Sequence, residues 1–249
     1  MSRAEVRDEQ GTALSLDSPY RVGACVFYYR EPENETPIPF EESILFQNEQ
    51  ILVVDKPHFL PVTPGGRFLQ ETLLVRLKKK TGIDTLVPIH RLDRETAGVM
   101  LFSVDPHTRD LWQRLFRDRL IKKVYEAQAP LRSALLFPIR HCSRLVRDEQ
   151  FFKMKEAAGE TNSETYIRLI SEHPSYGVYR LEPVTGKMHQ LRVHMNALGI
   201  PILNDRFYPH VVNAADDDFK TPLKLLAQSL TFEDPCTGEL RNFVSQLSL

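Results

Sequence analysis

Residues 88–104 read Pro-Ile-His-Arg-Leu-Asp-Arg-Glu-Thr-Ala-Gly-Val-Met-Leu-Phe-Ser-Val, and the stretch has two unlike halves. The first packs His90, Arg91, Asp93, Arg94 and Glu95 into six positions. The second, Gly98 to Val104, is almost wholly apolar and predicts a buried strand. A polar cluster running directly into a core strand sets charged side chains at the edge of a rigid element, which is how sites are commonly built. A charged surface loop that happens to precede a strand fits the same pattern. The surrounding chain has to decide between them.

Toward the N-terminus, Ile44–Phe46 and Ile51–Asp55 predict a hairpin around the polar turn at 47–50. The Pro- and Gly-rich run from Lys56 to Gly66 predicts a rigid irregular loop. Thr72–Lys80 predicts an amphipathic helix with Leu73, Leu74 and Leu77 inward and Gly82 as its stop. The lysines at 78–80 suit the negative end of that helix and read most simply as a solvated helix end. Farther out, Val22–Arg30 is β-prone, Glu31–Glu42 with three prolines and five glutamates reads as a linker, and residues 1–18 read as frayed.

Toward the C-terminus, Asp105-Pro106 predicts a helix N-cap followed by proline at the first helical position, with the helix running to Arg119. Its apolar stripe is Leu111, Trp112, Leu115 and Phe116, so the sole tryptophan reads as core. Ile121–Ala129 alternates as a strand, with Ile121, Lys123, Tyr125, Ala127 and Ala129 on one face. Residues 130–165 read as hairpins and loops with a strand near Phe151–Lys155. Glu164–Ser171 and Tyr176–Pro183 are β-type. Met188–Gly199 is amphipathic at either period and helical if unbroken, and Gly199–Leu203 reads as a turn into a short strand. Leu223–Thr231 and Arg241–Val244 are further apolar elements about the turn Asp234–Gly238. Strands outnumber helices without regular alternation, which predicts an α+β fold with a largely antiparallel sheet. The expected division is an acidic arm over 1–42, too short for a full separate RNA-binding domain, and one domain over 43–249.

The 249 residues carry a net charge of −1, with ordinary hydrophobic and charged fractions. That neutrality hides a pattern: residues 1–50 hold 4 Lys/Arg against 10 Asp/Glu, whereas residues 76–123 hold 12 against 6. A basic middle supplies the local potential that attracts a polyanion, so a neutral total does not exclude nucleic acid. No apolar run reaches membrane-spanning length and the N-terminus has no signal-peptide core. Cys25, Cys142 and Cys236 lack metal or redox spacing and read as reduced, buried thiols of a cytoplasmic protein.

Three spots combine basic, acidic and aromatic residues: His90–Arg94, Lys123–Tyr125 and Gly186–His194. An arginine within hydrogen-bond reach holds a carboxylate ionised, and such a carboxylate can act as a nucleophile. A nearby tyrosine can stack on a base and offer its hydroxyl. A structural Asp–Arg ion pair beside an ordinary strand tyrosine explains the same residues. His189 and His194 lie five apart with no glutamate between them, which is not zinc-helix spacing. No Gly-x-Ser-x-Gly elbow and no phosphate-cradling loop is present.

His90-Arg91-Leu92-Asp93-Arg94-Glu95-Thr96-Ala97-Gly98 resembles the signature of the RluA-type family of RNA pseudouridine synthases. Leu52–Pro57, Lys123–Ala127, Thr185–His194 and Gly199–Ile202 resemble further motifs of that family in the same order. Ala97, Lys187-Met188 and Asn204 depart from its usual pattern, outside the presumed catalytic positions. The resemblance implies a central mixed, mainly antiparallel sheet with flanking helices, and isomerisation of uridine to pseudouridine in structured rRNA or tRNA. It implies Asp93, Tyr125 and Arg192 as catalytic residues: Asp93 begins breaking the N-glycosidic bond, Tyr125 stacks on the uracil, and Arg192 pairs with Asp93. Arg91 would insert into the RNA where the uridine is flipped out. His90, Arg94, Lys123, Lys187, His189 and Gln190 are the further expected substrate contacts. No metal and no organic cofactor is expected, and the expected partner of a monomer is RNA, with no membrane. A non-catalytic RNA-binding protein and an aspartate-based hydrolase are the competing readings. The first is opposed by the presence of Asp93, Tyr125 and Arg192, the second by the lack of a second well-placed acid.

Overall fold

The computed structural model describes residues 6–28, 35–150, 152–212 and 217–249. Two units divide the chain, Met1–Glu35 and Thr36–Leu249. In the first, β1 (Val6–Arg7) pairs antiparallel with β2 (Phe27–Tyr28). Only these two residues of the β-prone 22–30 stretch form a strand, and residues 29 and 30 lie outside the described residues.

The second unit runs β3 (Ser43–Gln47), β4 (Ile51–Lys56), α1 (Leu73–Thr81), β5 (Val87–Pro88), β6 (Ala97–Ser103), α2 (Arg109–Arg117), β7 (Lys122–Ala129), β8 (Ile139–Arg147), β9 (Met154–Ala157), β10 (Ser163–Glu172), β11 (Gly177–Pro183), α3 (Gln190–Ala197), β12 (Leu225–Glu233) and β13 (Leu240–Val244). One sheet takes all eleven strands in the order β3-β4-β6-β12-β7-β11-β10-β8-β9, with β5 on β6 and β13 on β12. β6 and β12 run parallel; every other described pairing is antiparallel. The expected α+β class with a mixed, mainly antiparallel sheet is what forms.

β4 and β6 are buried at every residue because both of their faces are covered. Leu52, Val54, Met100 and Phe102 pack with Leu73 and Leu77 of α1. Their neighbours Ile51, Val53, Val99 and Leu101 face the other way, onto Trp112 and Leu115 of α2. This is the period-two alternation of a strand read on both sides. Leu191 and Met195 of α3 cover a third cluster with Ala127, Ala129, Tyr179, Leu181 and Leu225. Burying a leucine- or tryptophan-sized side chain stabilises by ~2–3 kcal/mol, so these clusters fix where the helices sit.

Local chemistry sets the ends of α1 as expected. The Thr72 hydroxyl accepts from the Val75 N–H, and Gly82 adopts the left-handed conformation (φ 71°). Before α1, the carbonyls of Ile38 and Phe40 accept from Arg76, which ties this end of the acidic segment onto the helix. Gly98 has a different reason to be glycine. Its φ is +116°, and a Cβ there would lie 2.2 Å from the Ala227 carbonyl oxygen of β12. The close approach of β6 to β12 therefore requires a residue without a side chain. Beyond β13, Asp55 of β4 accepts from Ser245 Oγ and the Gln246 N–H.

Several expectations are corrected. The helix after Asp105-Pro106 begins at Arg109, with Thr108 as N-cap. Asp105 instead accepts from the His107 N–H in a turn, so the Asp-Pro signal marks a turn that precedes the helix. Leu111 is exposed and only Trp112 and Leu115 are fully buried on that stripe. The hairpins expected in residues 130–165 include β8 paired with β9, β8 being a nine-residue strand with Arg140, Cys142 and Arg144 exposed. β9 starts at Met154, and Phe151 lies outside the described residues. Ile200–Leu203 forms no strand; Leu203 instead bonds irregularly to Gln128 and Lys224. Ile121 packs with the α2 cluster while Ala127 and Ala129 pack with α3. All three cysteines are free, but they are exposed rather than buried.

Candidate active site

Asp93 lies in the connection from β5 to β6, held from below by buried groups. The Lys56 ammonium, with no exposed surface, donates to the carbonyls of Pro57 (2.9 Å), Leu60 (2.9 Å) and Arg94 (3.0 Å). Burial lowers its pKa to about 7, against the fields of Glu95 and Asp93, which raise it. His58 Nδ1 lies 2.6 Å from the Glu95 carbonyl, and the Thr96 N–H donates to the Asp93 carbonyl. The polar half of the opening stretch is thus a turn whose backbone is clamped by hydrogen bonds.

α3 brings Arg192 to this turn. The guanidinium is 1 % exposed and faces three carboxylates. Nε and NH2 donate to the two oxygens of Asp205 at 2.7 Å each, while NH1 reaches Asp93 at 3.4 Å and Glu95 at 3.8 Å. Burial disfavours its charge, and the bonds to Asp205 with the fields of Asp93 and Glu95 more than offset that. Asp205 is itself fixed, accepting from the backbone N–H groups of Phe207 and Tyr208.

His189 caps α3 in the left-handed conformation at φ 53°, rare for a residue other than glycine and a mark of functional constraint. Its Nδ1 lies 3.0 Å from the Tyr208 hydroxyl. That hydroxyl also lies 3.1 Å from the Met154 carbonyl and accepts from the Met154 N–H, so it links His189 to the start of β9. Nε2 lies 3.8 Å from Asp93. Burial lowers the His189 pKa, which keeps the ring neutral near pH 7.

Asp93, Tyr125, Arg192, Arg91, Lys123, Lys187, His189 and Gln190 all line one open cleft, with Leu225 of β12 in its wall. Burial first, and the charge of Asp93 second, push the Tyr125 phenol well above its ordinary pKa, so it carries its proton. The cleft continues past Lys123 and Lys187 into a groove lined by His90, Phe116, Arg117 and Arg119. Lys123 is held to about 8 by burial and by Arg119, and donates to the Thr185 carbonyl.

The expected contacts do not all face the cleft alike. Gln190 spends its amide on Glu164, Thr165, Thr185 and Lys187, which shapes the 185–187 turn. His90 stacks on Phe116 and accepts from the Leu101 N–H. Arg94 turns away, donating to the Phe59 carbonyl and pairing with Asp217. Lys56 lies in the Leu52–Pro57 stretch that resembles a family motif, whereas the structural roles of Asp205 and Tyr208 were not expected from the sequence. His141, Glu156 and His194 bring ligand-type atoms within 4.8 Å of one another. The His194 nitrogens already bond Ser143, Ser163 and Thr165, and none of the three residues lines the cleft.

Residues 50–197 match the RNA pseudouridylate synthase family, more than half of the chain. The chain belongs to that family. The dual-specificity RNA pseudouridine synthase RluA of Haemophilus influenzae is 33 % identical over 207 residues, 80 % of this chain and 90 % of the relative. The human pseudouridylate synthase RPUSD2 is 35 % identical over 72 % of this chain, which spans only 33 % of that longer protein. The structure of human RNA pseudouridylate synthase domain containing 4 superposes with a TM-score of 0.62 at 28 % identity, covering 82 % of this chain and 88 % of that one. This pseudouridine synthase is of RluA type, an enzyme that isomerises uridine to pseudouridine in RNA. No helix among its described residues is long and apolar enough to cross a membrane.

Proposed function

We propose that Asp93 performs the chemistry, on a uridine flipped out of structured ribosomal or transfer RNA. One observation carries the reading: among the described residues that line the cleft, Asp93 is the one carboxylate. It sits beside a buried arginine that is already satisfied by Asp205, so it stays free to react. The net reaction breaks the bond from C1′ to N1, forms one from C1′ to C5, and moves the C5 proton off while N1 gains one. Tyr125 stacks on the uracil and exchanges that proton; spending the Asp93 charge in a covalent bond would remove one of the two causes that hold the phenol protonated. His189 lies across from Asp93 and holds the nucleotide beside it. Arg91, exposed at the mouth, fills the space that the uridine leaves. Lys123 and Lys187 meet phosphates, which position the strand without reading it.

The enzyme acts as a cytoplasmic monomer without metal or organic cofactor. Substrate choice lies in the 43–249 domain, helped by the acidic 1–42 arm. A folded variant lacking residues 1–40 should change RNA choice or rate; an unchanged profile removes the arm from the proposal. For the chemistry, purified wild type and Asp93→Asn are incubated with cellular RNA and pseudouridine is mapped. Wild-type sites should be absent with the variant, and equal modification by both sinks the assignment.

A further inference from the structure

Adjacent residues of the Asp93 turn face two hollows. Asp93 lines the catalytic cleft, whereas Arg94 and Glu95 line a second cavity of ≈ 270 Å³. There three guanidiniums converge on one carboxylate. Arg67 reaches Asp217 Oδ2 at 2.9 Å and Arg206 reaches Oδ1 at 3.2 Å, while Arg94 also donates to Oδ2. Burial works against the Asp217 charge, and Arg94 together with Arg67 and Arg206 more than compensates. The cations remain reachable, Arg67 being 59 % exposed and Arg206 25 %. Phe152 and Phe207 form the aromatic wall, with centroids 5.3 Å apart. The Arg192 guanidinium lies over the other side of that wall, 4.9 Å from the Phe207 ring.

Three clustered arginines repel one another, and among the described residues that line the cavity three cations, Arg67, Arg94 and Arg206, face two carboxylates, Glu95 and Asp217. A phosphodiester carries the charge of a carboxylate and presents two oxygens to the same guanidinium forks. We propose that this cavity is a second RNA site, in which a backbone phosphate replaces Asp217 between Arg67 and Arg206 and the neighbouring base stacks on Phe152. Asp217 is the stand-in that the phosphate displaces. The proposal rests on the reading of the chain as RNA-modifying, and it adds a place for the strand beyond the target uridine.

The test uses the full chain and a labelled single-stranded oligouridine RNA, with affinity followed against salt. Removing one phosphate-neutralising cation from a single-strand complex lowers the slope of log affinity against log salt by about 0.7. Arg67→Ala and Arg206→Ala should each lower it by that amount and weaken binding several-fold, with kcat at saturating RNA unchanged. Asp217→Asn should act in the opposite direction, tightening binding. A purely structural ion cluster would weaken or leave binding unchanged in all three variants, and that result overturns the proposal. Arg67 is exposed enough to replace without disturbing packing, so its variant decides the matter even if Arg206→Ala fails to fold. The binding measurement does not depend on turnover. A wild type that forms pseudouridine while the variants bind as it does refutes only the second site. A wild type that forms none refutes the catalytic reading instead.

Discussion

Arg192 gives its two short hydrogen bonds to Asp205 and only its last nitrogen to Asp93. The fork is thereby locked before substrate binds, and the longer contact leaves Asp93 a charged neighbour without a close bidentate grip. Asp205→Asn should release Arg192 onto Asp93 and Glu95. Removing one partner of a buried pair costs about 3–5 kcal/mol when the remaining charge is uncompensated. Two other carboxylates stand nearby, so the lower end is expected, together with a fall in kcat of at least about tenfold, equivalent to ~1.4 kcal/mol. Thermal unfolding and single-turnover kinetics read the two effects, and an unchanged kcat would remove Asp205 from the positioning of Arg192.

Tyr125 offers both a ring and a protonated hydroxyl. Tyr125→Phe keeps the ring, so RNA affinity should hold while kcat falls about 10²-fold, the lower end of what a positioned proton donor or acceptor contributes. Loss of affinity with kcat preserved would reverse the roles assigned to the two parts of the side chain.

Lys123 should make RNA binding sensitive to alkaline pH. Its pKa of about 8 means the ammonium is largely present at pH 7 and largely absent at pH 9. Affinity for phosphate-bearing RNA should therefore weaken several-fold as pH rises through 8, and KM should rise with it. Lys123→Arg, whose guanidinium stays charged, should flatten this profile. A profile equally steep in that variant would point to another group.

Gly98→Ala places a methyl group against the Ala227 carbonyl at a φ that L residues rarely adopt. Strain and overlap together should cost at least about 3 kcal/mol. Urea unfolding measures it, and a variant within 1 kcal/mol of wild type, about a fivefold change in the folding constant, would show that β6 and β12 can part without loss.

The elements written in local chemistry were legible. α1 announced itself through Thr72, its lysine-rich end and Gly82, and β4 and β6 through unbroken apolar runs. β8 was not, because its inward positions include His141 and Ser143, whose polarity hides the alternation with the exposed Arg140, Cys142 and Arg144. The helix start after Asp105 was misplaced because Asp-Pro signals a turn as readily as a cap. In the site, motif order brought Asp93, Tyr125, Arg192 and His189 to one cleft. It could not show that Arg94 faces away, since neighbours in a tight turn diverge, nor that Arg192 belongs first to Asp205. That pairing spans the loop after α3, and no periodicity records it.

β12 lies between β6 and β7, although residues 225–233 follow both by about a hundred positions. The turn that carries Asp93 feeds one flank of this late strand, and Tyr125 sits on the other. During synthesis β6 and β7 are made early, but the strand that pairs with both of them is among the last elements to leave the ribosome, so this part of the sheet is completed late. A chain ending before Leu225 therefore leaves the Ala97 end of β6 and the Tyr125 stretch of β7 without the strand that pairs with both.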